Sequence, residues 1–208
     1  MDLPAGHTLG GFRIVEQIGK GASGTVYRAR QIALQRDVAL KVLHASHEPK
    51  ALARFRAEAI RVAQLKHPSI LPVYDFGQQD EVAFIAMQLA DGGTLAARIR
   101  GPMAPAEAIQ ILRPVAQAID YAHQAGVIHR DVKPANMLFD GGRLFLSDFG
   151  LSLLQDAVGS TGAKMAGTPW YMAPEQYRGK SEPASDIYSL AVTLFQLLTG
   201  QVPFERET

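Results

Sequence analysis

His129-Arg130-Asp131-Val132-Lys133-Pro134-Ala135-Asn136 sets an imidazole, two cations, an acid and an amide side by side in a stretch with neither strand nor helix periodicity. Polar groups at that density in an irregular segment read as a loop that carries chemistry. Upstream, Pro105 to Gln124 places Ile109, Leu112, Ala116 and Ile119 on one face and predicts a long helix. Pro114 lies inside it and should kink it. Downstream, Asp140-Gly141-Gly142 between apolar runs predicts a short hairpin. That hairpin leads to a second acid, in Asp148-Phe149-Gly150.

Before Asp91 the pattern is different. Phe12 to Ile18, Gly24 to Gln31, Asp37 to Leu43, Leu71 to Phe76 and Val82 to Leu89 are rich in Val, Ile, Phe and Tyr and predict antiparallel strands. A helix is predicted from Pro49 to Leu65, with His67-Pro68 past its end. Asp91-Gly92-Gly93 then breaks the chain, and Leu95 to Arg100 begins a helical half. The expected organisation is a tail over residues 1–9, one lobe over 10–90 and another over 91–208. Residues 152 to 167, small and polar, read as a mobile surface loop.

Three features of the strand-rich half bear on function. On Val38-Ala39-Leu40-Lys41-Val42-Leu43 both faces look buried, so Lys41 is out of place. On the following helix Ala51, Phe55, Glu58, Val62 and Leu65 are spaced four, three, four, three, which sets Glu58 in the core-facing stripe. An unpaired buried charge costs several kcal/mol, so the two are expected to meet. A structural ion pair, or a lysine whose stem lies on the surface, reads equally well from these residues alone.

The third feature is Gly19-Lys20-Gly21-Ala22-Ser23-Gly24-Thr25-Val26. Gly-x-Gly-x-x-Gly alone also opens dinucleotide-binding folds, but there a helix follows. Here Thr25-Val26-Tyr27 follows, so the loop joins two strands that can fold over a triphosphate, with Val26 and Ala39 walling the adenine. Taken with the loop around Asp131, these segments supply the parts of phosphoryl transfer. Lys41 would hold the α- and β-phosphates, with Glu58 fixing it. Asp131 would accept or orient the proton of the acceptor hydroxyl, and Lys133 would sit near the transferring phosphate. Asn136 and Asp148 would supply the amide and carboxylate oxygens that Mg²⁺ needs beside phosphates. Each such residue also has a plain use, since Asp and Asn cap helices and shape turns; their joint occurrence does not.

Composition sets the bounds. At 208 residues and 47% hydrophobic content the chain can bury a core, and a net charge of +1 offers no general field for nucleic acid or an anionic membrane. There is no cysteine, hence no disulfide or thiolate metal site, which suits a reducing cytosol. Met1-Asp2-Leu3-Pro4 lacks the start of a secretory signal, so the cytoplasm is the expected location. Ile187 to Phe204 carries no formal charge, but Ser189, Thr193, Gln196, Thr199, Gln201 and Pro203 interrupt it and favour a buried helix over a membrane span.

In this order and spacing the motifs resemble the eukaryotic-type protein kinase family, over a stretch from about Gly10 to the end, with Ala173-Pro174-Glu175 as a further signature. Lys133 and Gly167-Thr168-Pro169-Trp170-Tyr171 resemble its serine/threonine branch, and the Ala-rich, cysteine-free style resembles bacterial members. The resemblance implies an α+β, two-lobe fold, with a small antiparallel β lobe carrying one helix and a mostly helical C-lobe. It implies ATP and Mg²⁺, with Mn²⁺ as an alternative, and transfer of the γ-phosphoryl to protein hydroxyls. Protein substrates are the expected partners, the chain itself included, with dimerisation serving autophosphorylation.

By the same resemblance Gly19, Lys20, Gly21, Ala22, Ser23 and Gly24 cover the phosphates. Met87 is the gatekeeper of the adenine pocket, the backbone of Gln88 to Ala90 its hinge and Leu138 its floor. Val62, Phe149 and His129 form a spine, and Asp186 anchors the loop around His129. Thr168 bridges Asp131 and Lys133, and Ser160 and Thr161 are the acceptors whose phosphate would meet Arg130. The chain departs from the family at its end. It stops at Thr208, so the last helices of the C-lobe are expected to be missing, and Glu175 is expected to lack its usual arginine partner, which puts activity in question.

Overall fold

A computed structural model describes residues 3–21, 24–43, 49–80, 82–149 and 169–203, which fall into two compact units. The first, drawn from 3–64 and 71–90, is an antiparallel sheet with one helix. Its strands are β1 (Thr8–Leu9), β2 (Phe12–Gly21), β3 (Gly24–Gln31), β4 (Arg36–Leu43), β5 (Val73–Gln79) and β6 (Val82–Met87), in the spatial order β1-β2-β3-β4-β6-β5. Helix α1 (Pro49–Ala63) packs on β5. One face is closed by Leu9, Phe12, Ile14, Tyr27, Val38, Leu40 and Phe84. Five strands were expected, and the extra one, β1, is two residues that pair with the start of β2. Strand β5 starts at Val73 rather than at Leu71, because Pro72 has no N–H to give to a ladder.

The second unit, drawn from 65–70, 91–149 and 169–203, contains α2 (Leu95–Arg98), α3 (Pro105–Gln124), the hairpin β7 (Met137–Asp140) and β8 (Arg143–Leu146), and α4 (Pro183–Thr199). Together with α1 these make four helices among the described residues, so one unit is a sheet with a single helix and the other is mostly helical, an α+β arrangement. Gly141 and Gly142 have φ of +52° and +78°, so the two-residue turn is of the kind that needs a left-handed backbone at both positions. Helix α3 continues through Pro114 and buries Ala108, Leu112, Val115, Ala118, Ile119 and Ala122. The buried face is therefore rotated from the expected one, and Ile109 is half exposed. Small residues at 108, 118 and 122 let α3 approach the α4 and β8 it packs against.

Helix α4 begins with Pro183 at its first turn behind a capping box of Glu182 and Ser185, and ends at Gly200. Two of its polar interruptions, Ser189 and Thr193, face inward. Ser189 donates to the carbonyl of Tyr171 and Thr193 to that of Ser189, while Ile187 and Phe195 are exposed. No helix among the described residues is long and apolar enough to cross a membrane.

Candidate active site

In the first unit the glycine-rich segment is the end of β2 and the start of β3. The pairs Gly19 with Val26, Lys20 with Thr25 and Gly21 with Gly24 make it a hairpin, and a strand follows it, not a helix. Ala22 and Ser23 lie outside the described residues. A Cβ on Gly24 would come within 2.3 Å of the Val42 carbonyl oxygen, so β3 can approach β4 this closely only with glycine there. Val26 is paired with Lys41 and Lys41 with Ile85, and Ala39 with Met87. Cross-strand partners share a face, as do residues two apart on a strand. Gly19, Val26, Lys41, Ala39 and Met87 thus stand on one face of the sheet, and Lys41 is only 4% exposed.

Glu58 is buried as its helical position predicts, and its carboxylate lies 3.6 Å from Arg61, one turn on. Lys41 also takes part in a hydrogen-bonding or electrostatic interaction. The N–H of Gln88 donates to the Pro72 carbonyl at 2.9 Å, so that donor is already engaged within the chain.

In the second unit the loop around Asp131 is held by a dense set of bonds. Asn136, in a 3-10 turn from Pro134 to Asn136, donates from Nδ2 to the Asp131 carbonyl at 2.7 Å and to Asp131 Oδ2 at 2.9 Å. Lys133 Nζ lies 2.8 Å from the same Oδ2. The N–H of Asp131 donates to His129 Nδ1 at 3.1 Å, so His129 Nε2 carries the proton given to the Ser147 carbonyl at 2.8 Å. His129 is fully buried, and Phe149 lies against it with ring centroids 4.5 Å apart. Val62 is buried within the first unit, and Leu138 is half-buried on β7.

Asp186 closes the loop from below. Its Oδ2 accepts from the N–H of His129 at 2.8 Å and from His123 Nε2 at 2.7 Å, and its Oδ1 from the N–H of Arg130 at 2.7 Å. Arg130 and Asp148 have φ of +73° and +66°, which costs a non-glycine residue about 1–3 kcal/mol and is typically kept at sites of function. Nη1 of Arg130 is buried without a hydrogen-bond partner among the described residues. Gly150, Ser160, Thr161 and Thr168 lie outside those residues, as does the 152 to 167 loop.

Glu175 does have a partner. Ser185 Oγ donates to it, and this bond holds the Glu175 carboxyl below its usual range. Two participants carry no motif signal of their own. His123 could have been found as a titratable group on the buried stripe four residues after Ile119. Gln176, next to Glu175, has no such mark.

The donors fit a divalent cation in a particular way. No group of three or more His, Cys, Asp or Glu that could hold a metal occurs among the described residues. The oxygen-bearing side chains to weigh are one amide, Asn136, whose nitrogen is committed to Asp131 so that its oxygen is the remaining ligand atom, and one carboxylate, Asp148. That set suits Mg²⁺ completed by phosphates and water, and not a cage made by protein alone.

A family model described as "Protein kinase domain" matches residues 12–208. Serine/threonine-protein kinase PknL of Mycobacterium tuberculosis is 42% identical over 201 residues, covering 93% of this chain and 50% of the relative. Serine/threonine-protein kinase PrkC of Bacillus subtilis is 38% identical over 206 residues, 96% of this chain and 32% of the relative. Among solved structures, the M. tuberculosis PknI kinase domain matches with a TM-score of 0.81 at 34% identity, over 100% of this chain and 82% of that one. The chain spans about half or less of the length of these curated relatives.

Proposed function

The chain belongs to the protein kinase domain family, and from that membership we propose that it is a serine/threonine protein kinase, transferring the γ-phosphoryl of ATP to protein hydroxyls, its own included. The observation that carries this reading is the convergence of Lys133 and Asn136 on one carboxylate oxygen of Asp131. A carboxylate fixed in this way can orient an acceptor hydroxyl and take its proton. The acceptor oxygen bonds to the γ-phosphorus as the bond to the bridging oxygen breaks and ADP leaves. Lys133 would offset charge on the transferring group.

Residues 10–90 would serve the nucleotide. The backbone from Gly19 through Ala22 and Ser23 to Gly24 covers the phosphates, Lys41 holds them and Glu58 steadies Lys41. Val26, Ala39, Met87 and Leu138 line the base. Since the N–H of Gln88 is engaged, the base would use other backbone groups of 88–90. Residues 91–208 would serve the acceptor. Asn136 and Asp148 would hold Mg²⁺, or Mn²⁺ in its place, whose charge neutralises the phosphates. Thr168 would bridge Asp131 and Lys133, and a phosphate on Ser160 or Thr161 would meet Arg130, whose Nη1, buried and without a hydrogen-bond partner among the described residues, supports that role. A cytoplasmic location and transient pairing of two copies during autophosphorylation complete the reading.

Purified chain given Mg²⁺ and γ-labelled ATP, beside Asp131→Asn and Lys41→Met, tests it. Wild type incorporates label on serine or threonine, and Asp131→Asn does so at least about a hundredfold more slowly. ATP binding with no label in any sample would instead mark a nucleotide-binding module without turnover. Ser160→Ala with Thr161→Ala should lengthen or abolish the activation lag.

A further inference from the structure

The peptide unit between Arg130 and Asp131 is gripped at both ends. Its N–H, that of Asp131, donates to His129 Nδ1, and its carbonyl, that of Arg130, accepts from Gln176 Nε2 at 2.9 Å. A peptide unit is planar, so fixing the carbonyl and the N–H fixes the N–Cα bond of Asp131, about which its side chain is set. The grip is on strained backbone, since Arg130 is held left-handed by these bonds and by the one from its N–H to Asp186.

The other end of the Gln176 amide faces the opposite way. Its Oε1 accepts from the N–H of Ala173 at 2.9 Å, and the backbone N–H of Gln176 donates to the Ala173 carbonyl at 2.9 Å, at the start of the 3-10 turn Gln176–Arg178. The bonds to Arg130 and Ala173 require a donor and an acceptor at separate atoms of one side chain, which the Gln176 amide supplies through Nε2 and Oε1. A carboxylate of the same shape would keep the Ala173 bond and turn an oxygen toward the Arg130 carbonyl.

We propose that Gln176 is a positioning residue for phosphoryl transfer: its amide sets the Arg130–Asp131 peptide plane and couples the attitude of Asp131 to the segment that begins at Ala173. This rests on the kinase reading above, in which residues 91–208 serve the acceptor. Acceptor binding that shifts Ala173 is transmitted through one side chain to the carboxylate that orients the acceptor's hydroxyl. Gln176 acts here through its bonds to Arg130 and Ala173.

The test compares wild type with Gln176→Glu, which removes only the bond to Arg130, and with Gln176→Met, which removes both bonds at similar volume. Steady-state kinetics with ATP and an acceptor peptide, thermal midpoints, and hydrogen exchange at the Asp131 amide are measured on each. Gln176→Glu is expected to lower kcat about ten- to a hundredfold. Its KM for ATP should stay within about twofold of wild type, its midpoint should be unmoved, and the Asp131 amide should exchange faster. Wild-type kcat in Gln176→Glu, or a loss of kcat in both variants that merely follows a lowered midpoint, overturns the proposal. So does unchanged exchange at Asp131. If wild type itself transfers no phosphate, the kinase reading fails, and the exchange measurement alone decides whether the amide holds the loop.

Discussion

His67 shows how one residue sets a pH limit. Its Nδ1 accepts from the N–H of Ser69, and its ring lies on Tyr121 with centroids 5.5 Å apart. Burial lowers its pKa, because the charged ring is poorly solvated there and a protonated Nδ1 cannot accept. The folded state then binds its proton less readily than the unfolded state, whose histidines titrate near about 6.5. The stability this group contributes is present above about pH 6.5 and is lost as pH falls toward the lower folded value. Replacing His67 with Gln should flatten that decline, visible as a smaller difference between urea midpoints at neutral and mildly acid pH. Asp186 is the sharper case. Asp186→Ala leaves three donors, from His123, His129 and Arg130, without their acceptor. The expected cost is more than about 3 kcal/mol in a denaturant titration, since each buried group left unsatisfied costs about 1–3 kcal/mol.

At the scale of elements, two hairpins depend on backbone that only glycine supplies cheaply. Gly24→Val would drive a side chain into the Val42 carbonyl and separate β3 from β4, so it should raise the KM for ATP more than it lowers kcat. Gly142→Val should lower the thermal midpoint by several degrees, because φ of +78° is strained for a β-branched residue. The same elements show what a sequence discloses. Strands β2 to β4 and the glycine hairpin were legible because Val, Ile and Gly mark alternation and turns directly. Strand β1 was not, since two residues carry no period and its pairing is fixed by β2. The face of α3 was misjudged by one position, because alanine enters a buried stripe as readily as isoleucine when a neighbouring helix is close. In the site, the motif residues announced themselves by chemistry out of place, as Lys41 and Glu58 do. Gln176 did not, because an amide on a turn looks like surface until its two partners are seen.

For the whole molecule, charge and exposed apolar area act together. The net charge is +1 at pH 7 and the isoelectric point is about 8.0, so the chain repels its copies weakly under ordinary conditions. Ile187 and Phe195 add exposed apolar surface on α4. Ile187→Lys should raise solubility near pH 8 and leave the thermal midpoint in place, measured by light scattering and a thermal scan. The carboxylate of Asp186 gathers donors that lie 63, 57 and 56 positions from it along the chain. Helices α3 and α4 must both be docked before those donors meet their acceptor, so the loop carrying Asp131 takes shape late in assembly. A chain whose α4 has not yet packed against α3 therefore leaves the Asp131 loop without its anchor, which ties the shape of that loop to the completion of the helical unit.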